Sequence, residues 1–135
     1  MIVDASVAFK WLVEEADSDI AISWLAHDSL KAPSIVHVEA GNALAKRIRG
    51  GELVADGAAA NMARLGRILE IVDSTPQLGR ALDMAVTLGH SYYDCLYLAV
   101  SEALDEQLLT ADAKFAAKCA TSQWSSLLHP WEPLK

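Results

Sequence analysis

The chain has 135 residues, enough for one domain of ordinary size, and at 53% hydrophobic it is far too apolar to be disordered. Eleven Lys and Arg stand against 18 Asp and Glu, and the net charge of −7 excludes a domain that holds nucleic acid through a broad basic surface. No apolar run approaches the ~20 residues of a membrane span, and Asp4 breaks the first apolar residues too early for a signal peptide, so a cytoplasmic protein is expected.

"MIVD" reads as a strand ending on Asp4, and "SVAFKWLVEE" then sets Val7, Ala8, Trp11 and Leu12 on one helical face. "DSDIAISWLAHD" repeats the pattern with Ile20, Ala21, Trp24 and Leu25. Trp11 and Trp24 read as core, with an apolar groove for a partner as the alternative. "LKAP" is a short strand stopped by Pro33, and Ser34 is placed to cap a helix through "IVHVEAGNALAKRIR" that Gly50 and Gly51 end. "LVADGAAANMARLGRIL" is a further, alanine-rich helix weakened by Gly57 and Gly66.

"EIVD" is the next strand, and Pro76 to Leu88 a helix with Leu78, Leu82, Ala85 and Val86 at helical spacing and Gly89 as its C-cap. Ser91 opens "YYDCLYLAVSEAL"; a strand in "QLLT" and a short helix in "DAKFAAKCA" follow, and "SSLL" reads as a last edge strand before Pro130 and Pro133. Cys95 and Cys119 have no CxxC spacing and read as small core residues rather than a disulfide. His27, His37, His90 and His129 form no HxxxH pair, which argues against a zinc site.

Strands separated by helices give an α/β fold with a mainly parallel sheet, in one domain over residues 1–135. In such a sheet ligands gather at the carboxyl ends of strands. Asp4 ends the first strand, Asp112 lies just beyond Thr110 at the end of "QLLT", Asp94 is in the first turn of its helix, and Glu39 is one turn inside the helix after "LKAP". Each has a local explanation: Asp4 and Asp112 can cap helices, Asp94 completes a near capping box with Ser91, and Glu39 can be a solvated residue on a polar face with Asn42, Lys46 and Arg49.

Brought together, they repel: a pair ~4 Å apart costs about 4 kcal/mol at an effective dielectric near 20. Protonation or a bound cation relieves that repulsion. Oxygen ligands with no cysteine or histidine nearby suit Mg²⁺ or Mn²⁺. Such an ion lowers the pKa of bound water and neutralises a phosphoryl oxygen, so phosphodiester hydrolysis is the natural chemistry.

"IVDASV", "VEAGNALAK", "YYDCLYLAVSEAL" and "LLTAD" resemble, in order and spacing, the four acidic motifs of PIN-domain ribonucleases, and most of all the VapC toxins of bacterial toxin–antitoxin pairs. The resemblance covers nearly the whole chain. It implies a three-layer α/β/α sandwich and a metal-dependent endoribonuclease leaving a 5′-phosphate and a 3′-hydroxyl. Asp4, Glu39, Asp94 and Asp112 fall on the family's acidic positions, with Asp4 and Asp94 as the most direct metal ligands. Glu39 and Asp112 complete the site, bind a second ion or orient the attacking water. Ser6 and Thr110 match small hydroxyl positions beside the acids, with backbone capping as their alternative role.

Lys46, Arg47, Arg49, Arg64 and Arg67 are the candidates for gripping flanking RNA phosphates, with ordinary surface charge as the alternative. The resemblance also implies homodimers and an inhibitory antitoxin whose basic and apolar tail complements the net charge of −7. Lys114 and Phe115 stand where a fifth acid sometimes follows in the family, and Gln123-Trp124-Ser125 replaces the usual apolar final strand.

Two other α/β readings fit less well. A receiver-like phospho-acceptor domain needs a second acid beside Asp4, and a haloacid-dehalogenase-type phosphatase needs an aspartate where Ser6 stands. A PIN fold that only binds partners would not need all four acids.

Overall fold

The computed structural model describes residues 1–135. Its first strand, β1 (Ile2–Val3), runs into helix α1 (Ala5–Leu12) through Asp4, whose side chain accepts from the Val7 amide 3.3 Å away and so caps the helix. Helix α2 (Ser18–Ser23) continues as a 3-10 turn over Trp24–Ala26, shorter than the single helix its periodicity predicts. Trp11 and Trp24 are buried, and their indole N–H groups donate to the carbonyls of Ala21 and Glu132 at 2.7 and 2.9 Å. Their core reading holds.

Strand β2 (Lys31–Pro33) and helix α3 (Ile35–Arg49) match the sequence reading. Ser34 sits at the helix start but already has helical backbone angles, so its hydroxyl makes no cap bond. The predicted helix after Gly51 begins only at Ala58, because Gly57 takes the left-handed conformation, φ 77°, immediately before it, and it divides at Arg64 into α4 (Ala58–Ala63) and α5 (Leu65–Ile68). β3 (Glu70–Val72), α6 (Leu78–Leu88), α7 (Tyr92–Leu104), β4 (Leu108–Leu109) and α8 (Ala113–Ala120) complete the order. "SSLL" forms a 3-10 turn and only one bridge, Leu128 to Leu108, since Pro130 has no N–H to extend a ladder.

The four strands are parallel in the order β3-β2-β1-β4, with Ile2 opposite both Lys31 and Leu108. From β1 the chain steps to β2 and β3 in one direction, and right-handed crossovers put α1 to α5 on one face of the sheet. The return from β3 past β1 to β4 runs the other way and puts α6 and α7 on the opposite face, where α7 packs on β1, β2 and β4. With helices on both faces, Ile2, Val3, Leu108 and Leu109 are wholly buried and the strands read as unbroken apolar runs. This is the expected α/β/α sandwich. Its direction reverses between β1 and β4, and the crevice beyond their carboxyl ends is the usual place for a ligand.

Helix α6 differs from expectation in which face it buries. Ala81 and Met84 turn inward onto α7, while Leu78, Leu82 and Val86 are 43%, 56% and 76% exposed. Gly89 ends α6 at φ 61°, with open space around the position a Cβ would take. Gly89→Ala therefore carries only a backbone cost and is expected to lower stability by about 1 kcal/mol in urea unfolding, with no loss of folded structure. An unchanged midpoint would mean the turn does not need the left-handed conformation.

Cys95 and Cys119 are both buried and unpaired, and burial pushes their thiols up to about 11 and 12. They are core residues, as read.

Candidate metal centre

The crevice at the end of β1 and β4 is built from short polar side chains. Asp4 is 3% exposed, and its two oxygens are held separately: Ser6 Oγ donates to Oδ1 at 2.5 Å and Thr110 Oγ1 donates to Oδ2. The same hydroxyls accept from the next loop, Ser6 from the Ala111 amide at 2.9 Å and Thr110 from the Asp112 amide at 3.1 Å. Both hydroxyls thus bond the acid and a backbone amide, but only Thr110 does so locally; Ser6 caps nothing nearby and instead ties the start of α1 to the loop after β4. Burial pushes the Asp4 carboxyl up to about 7 against the pull of those hydroxyls and the Val7 amide, and the charge on Asp94 adds to the rise.

Asp94 lies in the first turn of α7, which Ser91 caps by accepting from the Tyr93 amide at 3.2 Å. Its carboxylate does not close a capping box. Oδ2 instead lies 2.6 Å from His90 Nε2, whose ring stacks on Phe115. Burial raises the Asp94 carboxyl, and the hydrogen bond and charge of His90 oppose that rise. Asp112 caps α8, its Oδ1 accepting from the Lys114 and Phe115 amides at 3.0 and 3.1 Å. One donor atom each from His90, Asp94 and Asp112 lie within 4.8 Å of one another.

Glu39, on the second turn of α3, is raised by burial and by the charge of Asp94, while the Tyr97 hydroxyl holds its Oε1 at 2.8 Å. Asp94 is the hub of the group, since its charge bears on both Asp4 and Glu39 and Asp112 bears on it. Asp4 and Asp112 therefore do cap their helices, and capping uses one oxygen of each and aims the carboxylate. Asp112 also stands in the close group with Asp94 and His90, while Asp4 and Glu39 lie outside that group and are near enough only to feel the Asp94 charge.

No arginine or lysine enters the cluster, for none of the ion pairs engages Asp4, Glu39 or Asp112, and Asp94 pairs only with His90. Asp94 and Asp112 stand close together, with Asp4 and Glu39 within range of the Asp94 charge and no lysine or arginine paired to any of them. That is the donor chemistry of a hard divalent ion, so the residues fit such a group. A histidine does stand beside the acids, where none was expected nearby: His90, against Asp94 and Asp112. Helices α1, α7 and α8 also begin at the cluster, and their positive ends ease the burial of negative charge.

The basic candidates are spread out. Arg47 is committed to Glu15 at 2.8 Å and Glu52 at 3.4 Å, and lies 5.2 Å over the Phe9 ring. Arg64 and Arg67 line a pocket with His27 and Leu30, the residue before β2, at the amino ends of the strands and away from the acids. Lys46 and Arg49 are exposed on α3. A groove beside the acids runs past Ser6, Lys10, Glu39 and Ala111.

Sequence reading set His90 aside with the other histidines for want of a metal-site spacing, and passed over Tyr97 and Lys10. Tyr97 follows Asp94 by three positions, a helical spacing that signals a shared face. His90 carries no such signal, because the end of α6 and the start of α7 separate it from periodic residues.

Residues 1–120 match the family described as PIN domain. Ribonuclease VapC1 of Mycobacterium tuberculosis, in strains CDC 1551 / Oshkosh and ATCC 25618 / H37Rv, is 30% identical over 119 residues, covering 86% of this chain and 88% of the relative. The crystal structure of PAE2754 from Pyrobaculum aerophilum superposes with a TM-score of 0.72 at 28% identity, over 92% of this chain and 86% of that one. The acids placed near the β1/β4 reversal, the motif order and these likenesses agree, and the chain belongs to the PIN-domain family.

Proposed function

We propose that this protein is a metal-dependent endoribonuclease of the VapC toxin type, folded as one domain and acting in the cytoplasm on RNA phosphodiester bonds. The observation that carries this reading is the buried Asp4 carboxylate, aimed by Ser6 and Thr110 into a crevice where Asp94 is its charged neighbour. Asp4 and Asp94 would hold a Mg²⁺ or Mn²⁺ ion, with Glu39 and Asp112 completing the set. When bound, the ion supplies the positive charge that neutralises a phosphoryl oxygen and lowers the pKa of water.

The chain's own groups do the positioning. Tyr97 occupies Oε1 of Glu39 and leaves Oε2 to accept a hydrogen bond from an attacking water. Asp112 likewise spends Oδ1 on its helix cap and keeps Oδ2 for the crevice. The starts of α1, α7 and α8 bring positive ends to the place where a phosphate must approach.

Lys46 and Arg49 lie about 10 and 15 Å along the α3 axis from Glu39 and suit phosphates a few nucleotides away. Reversing both charges, Lys46→Glu with Arg49→Glu, is expected to weaken RNA binding. It should also reduce the slope of log affinity against log salt by about 0.7 for each phosphate that the protein no longer neutralises, leaving Mn²⁺ affinity unchanged. Filter binding at several salt concentrations checks this, and an unaltered slope removes these residues from the RNA path.

A cognate antitoxin with a basic and apolar tail suits the net charge of −7. Homodimerisation is supported by the exposed row of Leu78, Leu82 and Val86 on α6.

The test is incubation of the purified protein with RNA and Mg²⁺ or Mn²⁺, with and without chelator. Cleavage that needs the ion supports the reading. Labelling of an aspartate by acetyl phosphate with no RNA cut would replace it with a phospho-acceptor domain.

A further inference from the structure

We propose that His90 is a positioning residue that fixes the rotation of the Asp94 carboxylate, spending Oδ2 on its own Nε2–H and presenting Oδ1 to the cation. This rests on the metal-dependent reading above. An ionised carboxylate only accepts hydrogen bonds, so at 2.6 Å the ring nitrogen is the donor, and a nitrogen bearing a proton has no lone pair for a metal. Two donors sharing one octahedral ion at ~2.1 Å stand about 3 Å apart, farther than this pair. Through Nε2, His90 therefore acts on the carboxylate rather than on a metal.

The ring is itself held. It stacks on Phe115 with centroids 4.8 Å apart and planes 16° apart, and Phe115 is wholly buried at the first turn of α8. The His90 amide donates to the Ala85 carbonyl at 3.1 Å, and Lys118 Nζ donates to the Gly89 carbonyl at 2.6 Å, so the backbone that carries the ring is tied to α6 and α8. The side chain is 10% exposed. His90 thereby links α8, which Asp112 begins, to the carboxylate on α7. The other three acids each have a fixed oxygen too, from Ser6 and Thr110, Tyr97, or the α8 amides. For Asp94 the fixing group is His90 alone. Hydrogen-bonding partners behind metal-ligating groups typically carry about 10- to 100-fold in metal affinity.

Two variants separate the donor from the packing. His90→Phe keeps an aromatic ring on Phe115 and removes the N–H, while His90→Gln restores an N–H at a similar reach. Mn²⁺ affinity, read from the spin resonance signal of free Mn²⁺, is expected to fall about 10- to 100-fold in His90→Phe and to return to within about threefold of wild type in His90→Gln, with unfolding midpoints close together. Pulsed spin resonance of the wild-type complex is expected to show no directly bonded nitrogen.

Equal Mn²⁺ affinity in wild type and His90→Phe overturns the proposal, as does a His90→Gln protein as weak as His90→Phe. A nitrogen bonded to Mn²⁺ overturns it in favour of a ligand. Wild-type protein that binds no Mn²⁺ at all overturns the metal-dependent reading, and this inference falls with it.

Discussion

Asp94→Asn is expected to lower RNA cleavage by at least about 1,000-fold, equivalent to about 4 kcal/mol of transition-state stabilisation, while the protein remains folded. Asparagine has nearly the shape of aspartate, and its carbonyl oxygen can still accept from His90 Nε2, so the packing around α7 persists. What disappears is the charge at the hub of the cluster, the one that bears on both Asp4 and Glu39. Burial already penalises that charge, so its removal does not destabilise the metal-free fold. The signature is cleavage abolished with the thermal midpoint kept. Retention of more than a tenth of the wild-type rate would take Asp94 out of the chemistry.

Asp4→Asn is expected to stabilise the metal-free protein at alkaline pH. The carboxyl ordinarily titrates near 3.8, and burial in the fold raises it to about 7. A raised acid binds its proton more tightly in the folded chain, so its contribution to stability is present below pH 3.8 and lost as pH climbs to about 7. The full loss corresponds to at most about 4 kcal/mol, at 1.36 kcal/mol per pH unit. In thermal melts with chelator, Asp4→Asn should exceed wild type by several degrees at pH 8 and gain nothing at pH 4. Glu39 and Asp94 shift in the same direction, so part of the wild-type pH dependence survives the substitution. Excess Mn²⁺ at pH 8 should raise the wild-type midpoint and leave the variant nearly unmoved. A variant less stable than wild type at pH 8 without metal would mean that the Asp4 charge is already compensated by the fold.

The sequence carried the parts of this site that obey periodicity or cap chemistry. Asp4, Asp94 and Asp112 each stand where a helix begins, and helix starts are written in local residue types, so all three positions were legible. Residues 35–49 were legible to the residue, since a clear polar face and a glycine stop define them. Two kinds of feature were hidden. The face that α6 buries depends on where α7 lies, and the row of Leu78, Leu82 and Val86 has the same spacing as the row that packs. The Asp94–His90 bond likewise joins the linker after Gly89 to the first turn of α7, a geometry that no helical period encodes.

The short helices after Gly51 illustrate a third limit. Alanine content favours one long helix there, but the left-handed Gly57 delays its start to Ala58 and a break at Arg64 divides it before β3, which alanine content does not foretell.

The most direct measurement is anomalous scattering from Mn²⁺ in crystals grown at pH 8. Convergence of Asp4, Glu39, Asp94 and Asp112 on a cation predicts a peak about 2.1 Å from a carboxylate oxygen of Asp94 and from one of Asp4 or Asp112. Saturating Mn²⁺ that leaves this crevice without a peak, or that binds only elsewhere on the surface, would contradict it.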